Sequence, residues 1–163
     1  MISSSVFWRT IISGFIATFV MTMVSLLQGG IGLPTIDIGH ILKESFNYVH
    51  GEDMYSILWG NSAYYLGGML MALIWVVFLQ HRIPGKWILQ GIIFGIIITV
   101  VAGAIIAPLT SLAAGDSFGI FYVYTWFPVR VLIAGILMHV SFGISLMVCL
   151  KVAGVKELSS DYN

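Results

Sequence analysis

Apolar residues dominate four long segments of the chain, and each segment is long enough to cross a membrane as a helix. The hydrocarbon core of a bilayer is about 30 Å thick, which takes roughly 20 helical residues. The four apolar segments cover approximately residues 7–28, 55–80, 87–108 and 130–151. The pattern predicts an all-α integral membrane four-helix bundle, with residues 1–163 forming a single transmembrane domain.

Residues 35–47, between the first two apolar segments, show the periodicity of an amphipathic helix. Thr35 can cap this helix after Pro34, which places Asp37 in its first turn. One face carries Ile38, Ile41, Leu42, Ser45 and Phe46, and the other carries Asp37, His40, Lys43, Glu44 and Asn47. We expect this external helix to lie on the membrane surface or to fold onto the bundle.

The composition supports a membrane location and excludes several other classes of protein. Hydrophobic residues make up 59% of the chain and charged residues only 9%, against roughly 25% charged residues in a soluble domain. The net charge is zero, so nucleic acid is not an expected partner. The single cysteine, Cys149, can form no internal disulfide and belongs to no zinc or haem motif. Lipid is the expected partner.

The distribution of basic residues predicts the orientation of the chain. Five basic residues fall on one side of the four segments, namely Arg9, Arg82, Lys86, Lys151 and Lys156. Only Lys43 and Arg130 fall on the other side. The positive-inside rule then places both termini in the cytoplasm of a multi-pass protein of the bacterial inner membrane.

The two halves of the chain show a faint parallel repeat. The stretch "GFIATFVMTMV" from Gly14 matches "GIIFGIIITVV" from Gly91 at four of eleven places, 77 positions apart. Likewise "YYLGG" from Tyr64 matches "HVSFG" from His139, 75 positions apart. Each half would be a pair of helices in the same orientation. Small-residue motifs such as Gly91-x-x-x-Gly95 mark where helices approach closely.

The residues "GLPTIDIG" (32–39) resemble a loop in a group of uncharacterised small bacterial membrane proteins with four predicted helices. In that group a His-x-x-x-Gly-like motif occurs in helices two and four. His139 and Gly143 fit the helix-four motif, whereas Tyr64 stands where histidine is usual in helix two. The resemblance implies a four-helix membrane fold and no known activity. Paired histidine ligands would not be available to this chain.

His139 lies near the centre of the last apolar segment, where ionisable residues are costly and are functional candidates. The other histidines, His40, His50 and His81, lie in connections, so a haem held by two histidines of this chain is not expected. We expect His139 to be neutral and to form a hydrogen bond with Tyr64 or Tyr65. A proton- or quinone-binding role for the same residues is the alternative.

Two further clusters are candidates for function. Asp37 and His40 are three positions apart and could share a metal ion, although two ligands do not make a site. The loop before the last segment is rich in aromatic residues, which suit either the headgroup layer or contact with a partner. Its candidate contact residues are Phe121, Tyr122, Tyr124, Trp126, Phe127 and Arg130, and Asp116 or an outer-leaflet phosphate is the expected partner of Arg130.

No nucleophile–base pair, carboxylate pair or phosphate-binding loop is visible in the sequence. The first hypothesis is therefore a non-catalytic accessory subunit of a larger membrane complex, and the complex we expect is a respiratory or other electron-transport assembly. No cofactor would then be held by this chain alone. The alternatives are a small transporter or channel, and a quinone- or cofactor-binding membrane protein, each centred on His139. A solid interior with the aromatic loop touching another chain would favour the subunit. A polar cavity that reaches the midplane would favour the transporter or channel, and a flat apolar slot beside His139 would favour the quinone- or cofactor-binding protein.

Overall fold

The computed structural model describes residues 3–51, 55–115 and 117–155, which form five helices and no strand. The helices are α1 (Ser4–Gln28), α2 (Ile38–His50), α3 (Ser56–Leu79), α4 (Trp87–Ala113) and α5 (Pro128–Val152). Short 3-10 helices occupy Gly29–Ile31 and Ile120–Tyr122. Helices α1, α3, α4 and α5 are each long and apolar enough to cross a membrane, as the four apolar segments predicted.

Helices α3 and α4 each contain one wide π-helical turn. In α3 this turn is Trp75–Leu79, at the end of the helix, and in α4 it is Ala102–Ile106. Pro108 follows the turn in α4 and has no N–H to donate to the preceding turn, so regular α-helical hydrogen bonding is already interrupted there. Helix α4 continues beyond its turn to Ala113.

Glycines determine which long helices lie against each other. A methyl group on Gly91 or Gly95 of α4 would overlap the backbone of α5 between His139 and Ile144. In the same way, a methyl group on Gly14 of α1 would overlap Gly68 and Met69 of α3. Close backbone approach of this kind is how helices associate where the surrounding lipid is as apolar as their side chains. Helix α1 also packs along α5, so the order of neighbours is α3, α1, α5, α4.

These contacts agree with the predicted repeat. Gly14 meets the carbonyl oxygen of Gly68, and Gly91 meets the carbonyl oxygen of Gly143. Gly14 and Gly91 are the first pair of equivalent positions in the repeat, and Gly68 and Gly143 are the second. The pair α1–α3 is therefore the structural counterpart of the pair α4–α5.

Helix α2 begins three residues later than predicted, at Ile38, because Asp37 is its N-cap rather than a first-turn residue. The Asp37 carboxylate accepts a hydrogen bond from the backbone N–H of His40 at 2.9 Å. Of the two expected placements, the structure shows α2 folded onto the long helices. Its backbone at Gly39 and Lys43 packs on Gly60 of α3, and its Ser45 hydroxyl donates to the carbonyl of Thr110 on α4 at 3.0 Å.

The first turns of α1 and the last turn of α5 lie at the same end of the molecule. The guanidinium of Arg9 donates to the carbonyl oxygen of Ala153 at 2.9 Å, which satisfies a free carbonyl at the end of α5. Lys151 lies over the ring of Trp87 at 5.4 Å. We call this the terminal end, and the opposite end, which carries α2, the α2 end.

Candidate functional site: a cleft between α3 and α4

A cleft of about 490 Å³ separates α3 from α4. The two helices are joined by a short turn at the terminal end, where the ring of Trp75 packs on Phe94 with 4.9 Å between ring centres. Beyond that contact they have no extensive packing, since α3 packs on α1 and α4 packs on α5. The volume falls within the range of about 300–1,000 Å³ that is usual for ligand pockets.

The walls of the cleft are apolar, with few polar side chains among them. Met21 of α1 and Phe142 of α5 form part of its floor, and α2 closes one end with Ile38, Ile41 and Leu42. Its polar side chains are Tyr64, Thr110, Tyr122 and His139. The cleft is also open to the outside of the molecule, because Ile97, Val101 and Ile106 of α4 both line it and are exposed. In a membrane that opening would face lipid tails.

His139 lies in the floor of the cleft and is only 7% exposed. Its Nδ1 atom lies 3.2 Å from the hydroxyl of Thr99 on α4, and this hydroxyl lies 2.9 Å from the carbonyl oxygen of Gly95. The expected hydrogen bond with Tyr64 or Tyr65 is therefore wrong. Helix α5 packs on α4 rather than on α3, so a threonine of α4 is nearer to the imidazole than either tyrosine.

Tyr64 has the corresponding arrangement in the other half of the repeat. Its hydroxyl lies 3.3 Å from Thr22 of α1, and the Thr22 hydroxyl lies 3.0 Å from the carbonyl oxygen of Thr18. Thr22 and Thr99 are 77 positions apart, so the two polar pairs occupy equivalent places. Tyr65, in contrast, stacks on Phe15 at 4.8 Å and does not line the cleft.

Asp37 and His40 do not converge on a metal position. The Asp37 carboxylate caps α2, and His40 Nε2 lies 3.8 Å from a Glu44 oxygen that Lys43 also contacts at 3.0 Å. The hydrogen bond from Lys43 is the main reason why the pKa of the exposed Glu44 carboxyl is below its usual value. Within the described ranges, no three His, Cys, Asp or Glu side chains come close enough to hold a metal ion.

The aromatic loop before α5 divides into two parts. Phe121 and Tyr122 have positive φ angles of 52° and 63°, a conformation that bulky side chains rarely adopt. Phe121 packs on Gly103 of α4, and Tyr122 lines the cleft, where burial raises the pKa of its hydroxyl.

The other predicted contact residues of this loop point away from the cleft. Tyr124, Trp126 and Phe127 are exposed, with Trp126 the most exposed at 95%. Arg130 is also exposed and lies over the Phe127 ring at 5.4 Å. Its suggested partner Asp116 lies outside the described residues.

Comparison of the chain with protein-family models, with curated proteins and with solved structures found no match. The resemblance carried by residues 32–39 stays a prediction. The structure does give that segment a local role. Gly32 adopts the left-handed conformation (φ 80°) that ends the 3-10 helix, and the carbonyls of Pro34 and Ile36 accept hydrogen bonds from Gln28 and Ser25 of α1. The segment thus ties α2 to the end of α1.

Thr22 and Thr99 are the site residues that our reading of the sequence missed. A threonine inside an apolar helix usually forms a hydrogen bond with the backbone of its own helix, as both of these do, and so gives no sign of a function. The signal was present in the repeat, because this threonine is one of the four matches between the stretches that begin at Gly14 and Gly91.

Proposed function

We propose that this protein is a multi-pass membrane protein that binds an elongated apolar ligand with a polar head, such as a quinone or its hydroquinone, in the cleft between α3 and α4. The observation that supports this proposal is an apolar cleft whose lining includes two polar side chains near the middle of their helices, His139 and Tyr64. Ligand sites combine apolar walls with a few polar groups that fix orientation. The protein would bind its ligand without chemistry of its own.

The depth of the two polar groups suits a ligand that enters from the bilayer. At about 1.5 Å per residue, His139 and Tyr64 are both within about 5 Å of the centres of their helices. A ligand head at that depth requires a long apolar body, since a small polar molecule would have to cross half of the membrane. An ion or solute path would need more polar groups than the four side chains in this lining.

The proposal includes a four-helix bundle in the bacterial inner membrane with both termini cytoplasmic. Arg9 and Lys151 at the terminal end support that orientation. A reporter inserted within residues 81–86 is expected to read cytoplasmic, and one inserted at residue 48 external. The opposite pair of readings would reverse the orientation.

Filling the cleft tests the binding function. Gly135 lines the cleft, and a methyl group there would meet nothing within 4 Å, so Gly135→Leu adds volume to the cleft without a clash at its first carbon. Val148→Leu enlarges a side chain on the same helix that is exposed and outside the cleft, and serves as the control. Decylubiquinone bound per protein molecule would be counted by native mass spectrometry.

We expect Gly135→Leu to reduce decylubiquinone binding at least about tenfold, because one buried methylene group is already worth about 0.8 kcal/mol and the new side chain displaces several. Val148→Leu is expected to bind as the wild type does. Equal binding by the two variants, or none by the wild type, would reject the proposal.

A second candidate is an accessory subunit of a larger membrane complex, possible partners being electron-transport proteins. The exposed aromatic side chains of Tyr124, Trp126 and Phe127 favour it, since aromatic residues are enriched at interfaces. A photo-crosslinking residue at position 126 would form adducts with one defined protein if this candidate is correct. Adducts with lipid alone would instead assign the loop to the headgroup layer.

A further inference from the structure

The hydrogen bonds of His139 determine which of its ring nitrogens carries the proton. The Thr99 hydroxyl has one hydrogen, and the carbonyl oxygen of Gly95 can only accept, so this hydrogen is used in the 2.9 Å contact with Gly95. The Thr99 oxygen can then only accept from His139 Nδ1, at 3.2 Å. A neutral imidazole with its proton on Nδ1 has a bare lone pair on Nε2.

Nε2 is the atom of His139 that remains for a ligand. The two nitrogens of an imidazole point in widely different directions, so Nε2 is directed away from Thr99. His139 lines the cleft. Some side-chain atoms of the described residues are completely buried and lack a hydrogen-bond partner, but Nε2 of His139 is not one of them. The imidazole therefore presents a hydrogen-bond acceptor to the cleft.

Tyr64 is held by the equivalent threonine, but its hydrogen bonding differs. The Thr22 hydroxyl lies 3.0 Å from the carbonyl oxygen of Thr18 and donates to the phenol oxygen of Tyr64 at 3.3 Å. The O–H of Tyr64 therefore remains able to donate. Of the two side chains, only His139 is fixed as an acceptor that offers no donor to the cleft.

From this arrangement we infer that the cleft selects a long apolar molecule whose head is a hydroxyl donor, such as a hydroquinone or a long-chain alcohol. The inference rests on the proposed function and names the chemical class of the ligand. A head with acceptors only, such as a quinone or an ether, would face the Nε2 lone pair without forming a hydrogen bond. Losing that bond in an apolar site is expected to weaken binding about tenfold.

Matched ligand pairs test this selectivity. Decylhydroquinone would be compared with decylquinone under reducing and oxidising conditions, and dodecanol with dodecyl methyl ether, again by native mass spectrometry. The wild type is expected to bind the hydroxyl member of at least one pair about tenfold better, and the pair that shows it identifies the source of the hydroxyl. Equal binding within both pairs would overturn the inference and leave the proposed function intact. If Gly135→Leu also leaves binding unchanged, the proposed function fails as well.

Thr99→Val tests the role of Thr99 as a positioning residue. Without the Thr99 oxygen the imidazole can carry its proton on Nε2. The ratio of binding between the hydroxyl ligand and its matched partner is then expected to fall towards one, while the apolar body still binds. His139→Phe is expected to lose the preference also. Thr10→Val is the control, because Thr10 is buried and bonded to its own helix but lies outside the cleft. An unchanged preference in Thr99→Val would contradict the assignment.

The protonation of the ring can be read directly, whether or not the variants fold. Nitrogen NMR of the wild type labelled at histidine is expected to show one neutral ring with the proton on Nδ1, a signal that His139→Phe removes. A proton on Nε2 of this ring would overturn the inference.

Discussion

Gly143 of α5 lies directly against the backbone of Gly91 on α4, so alanine at this position tests how closely the two helices must approach. A methyl group on Gly143 would overlap the carbonyl group of Gly91 and crowd the nitrogen of Gly95. Backbone atoms cannot rotate away as a flexible side chain can, so α4 and α5 would have to separate. Gly135, two turns earlier on α5, has nothing within 4 Å of the same methyl position.

The two glycines form a matched pair, because each substitution changes helix propensity by the same amount, about 1 kcal/mol in favour of alanine. The difference between the variants then reports packing alone. Inserting one methyl group into a well-packed contact costs about 1–3 kcal/mol. We therefore expect Gly143→Ala to be less stable than Gly135→Ala by about 1–3 kcal/mol.

Reversible unfolding in mixed micelles, followed by circular dichroism as the SDS fraction increases, would measure this difference. The helical content of both variants in mild detergent provides the control for folding. If Gly143→Ala and Gly135→Ala unfold at the same SDS fraction, α4 and α5 do not pack through Gly91 and Gly143, and the order of helices given above is wrong.

Two further predictions concern α2. Cysteines at Ile41 and Leu42 are expected to react with a water-soluble maleimide more slowly than cysteines at His40 and Glu44, because the first two positions line the cleft; equal rates would contradict the placement of α2. Lys43→Gln is expected to raise the pKa of Glu44 towards its usual value, because it removes the hydrogen-bonded ammonium group, and carbon NMR titration of the carboxyl would show this. Since the folded-state pKa of Glu44 is depressed, Glu44 contributes to the stability of the fold above its unfolded pKa, and this contribution is lost as pH falls through the folded pKa. The variant is expected to lose less stability over the same pH range.

The spanning helices could be predicted from the sequence because mean apolarity over about 20 residues is a strong signal. The sequence offers two starts for α2, since Thr35 and Asp37 are both good caps and the pattern of apolar residues suits either. The structure places Thr35 before the helix, beside Gly29, and uses Asp37 as the cap. The two caps lie two residues apart, and the predicted range also counted Thr35 itself, which together give the three-residue difference.

The partner of His139 was predicted wrongly because depth in the membrane does not identify a neighbouring helix. His139, Tyr64 and Thr99 all lie near the middle of their helices, so sequence position alone allows either pairing. The repeat contained the missing information. It pairs the first long helix with the second and the third with the fourth, which brings Thr99 to His139 and Thr22 to Tyr64.

The cleft itself was not visible in the sequence, because lining residues such as Ile97 and Val101 are of the same type as residues that face lipid. In a soluble protein, exposed positions are mostly polar and buried positions mostly apolar. In a bilayer the positions that face lipid are apolar as well, so polarity does not distinguish the two. The repeat, in contrast, can be recognised in the sequence. Two matched helix pairs joined through α1 and α5 leave α3 and α4 without extensive contact, and each pair contributes one of the two polar side chains near mid-depth, Tyr64 and His139, to the gap. The two pairs differ chemically at one position of the repeat, which is Tyr64 in the first pair and His139 in the second. Selectivity between ligand heads should therefore depend on this difference more than on any apolar wall residue.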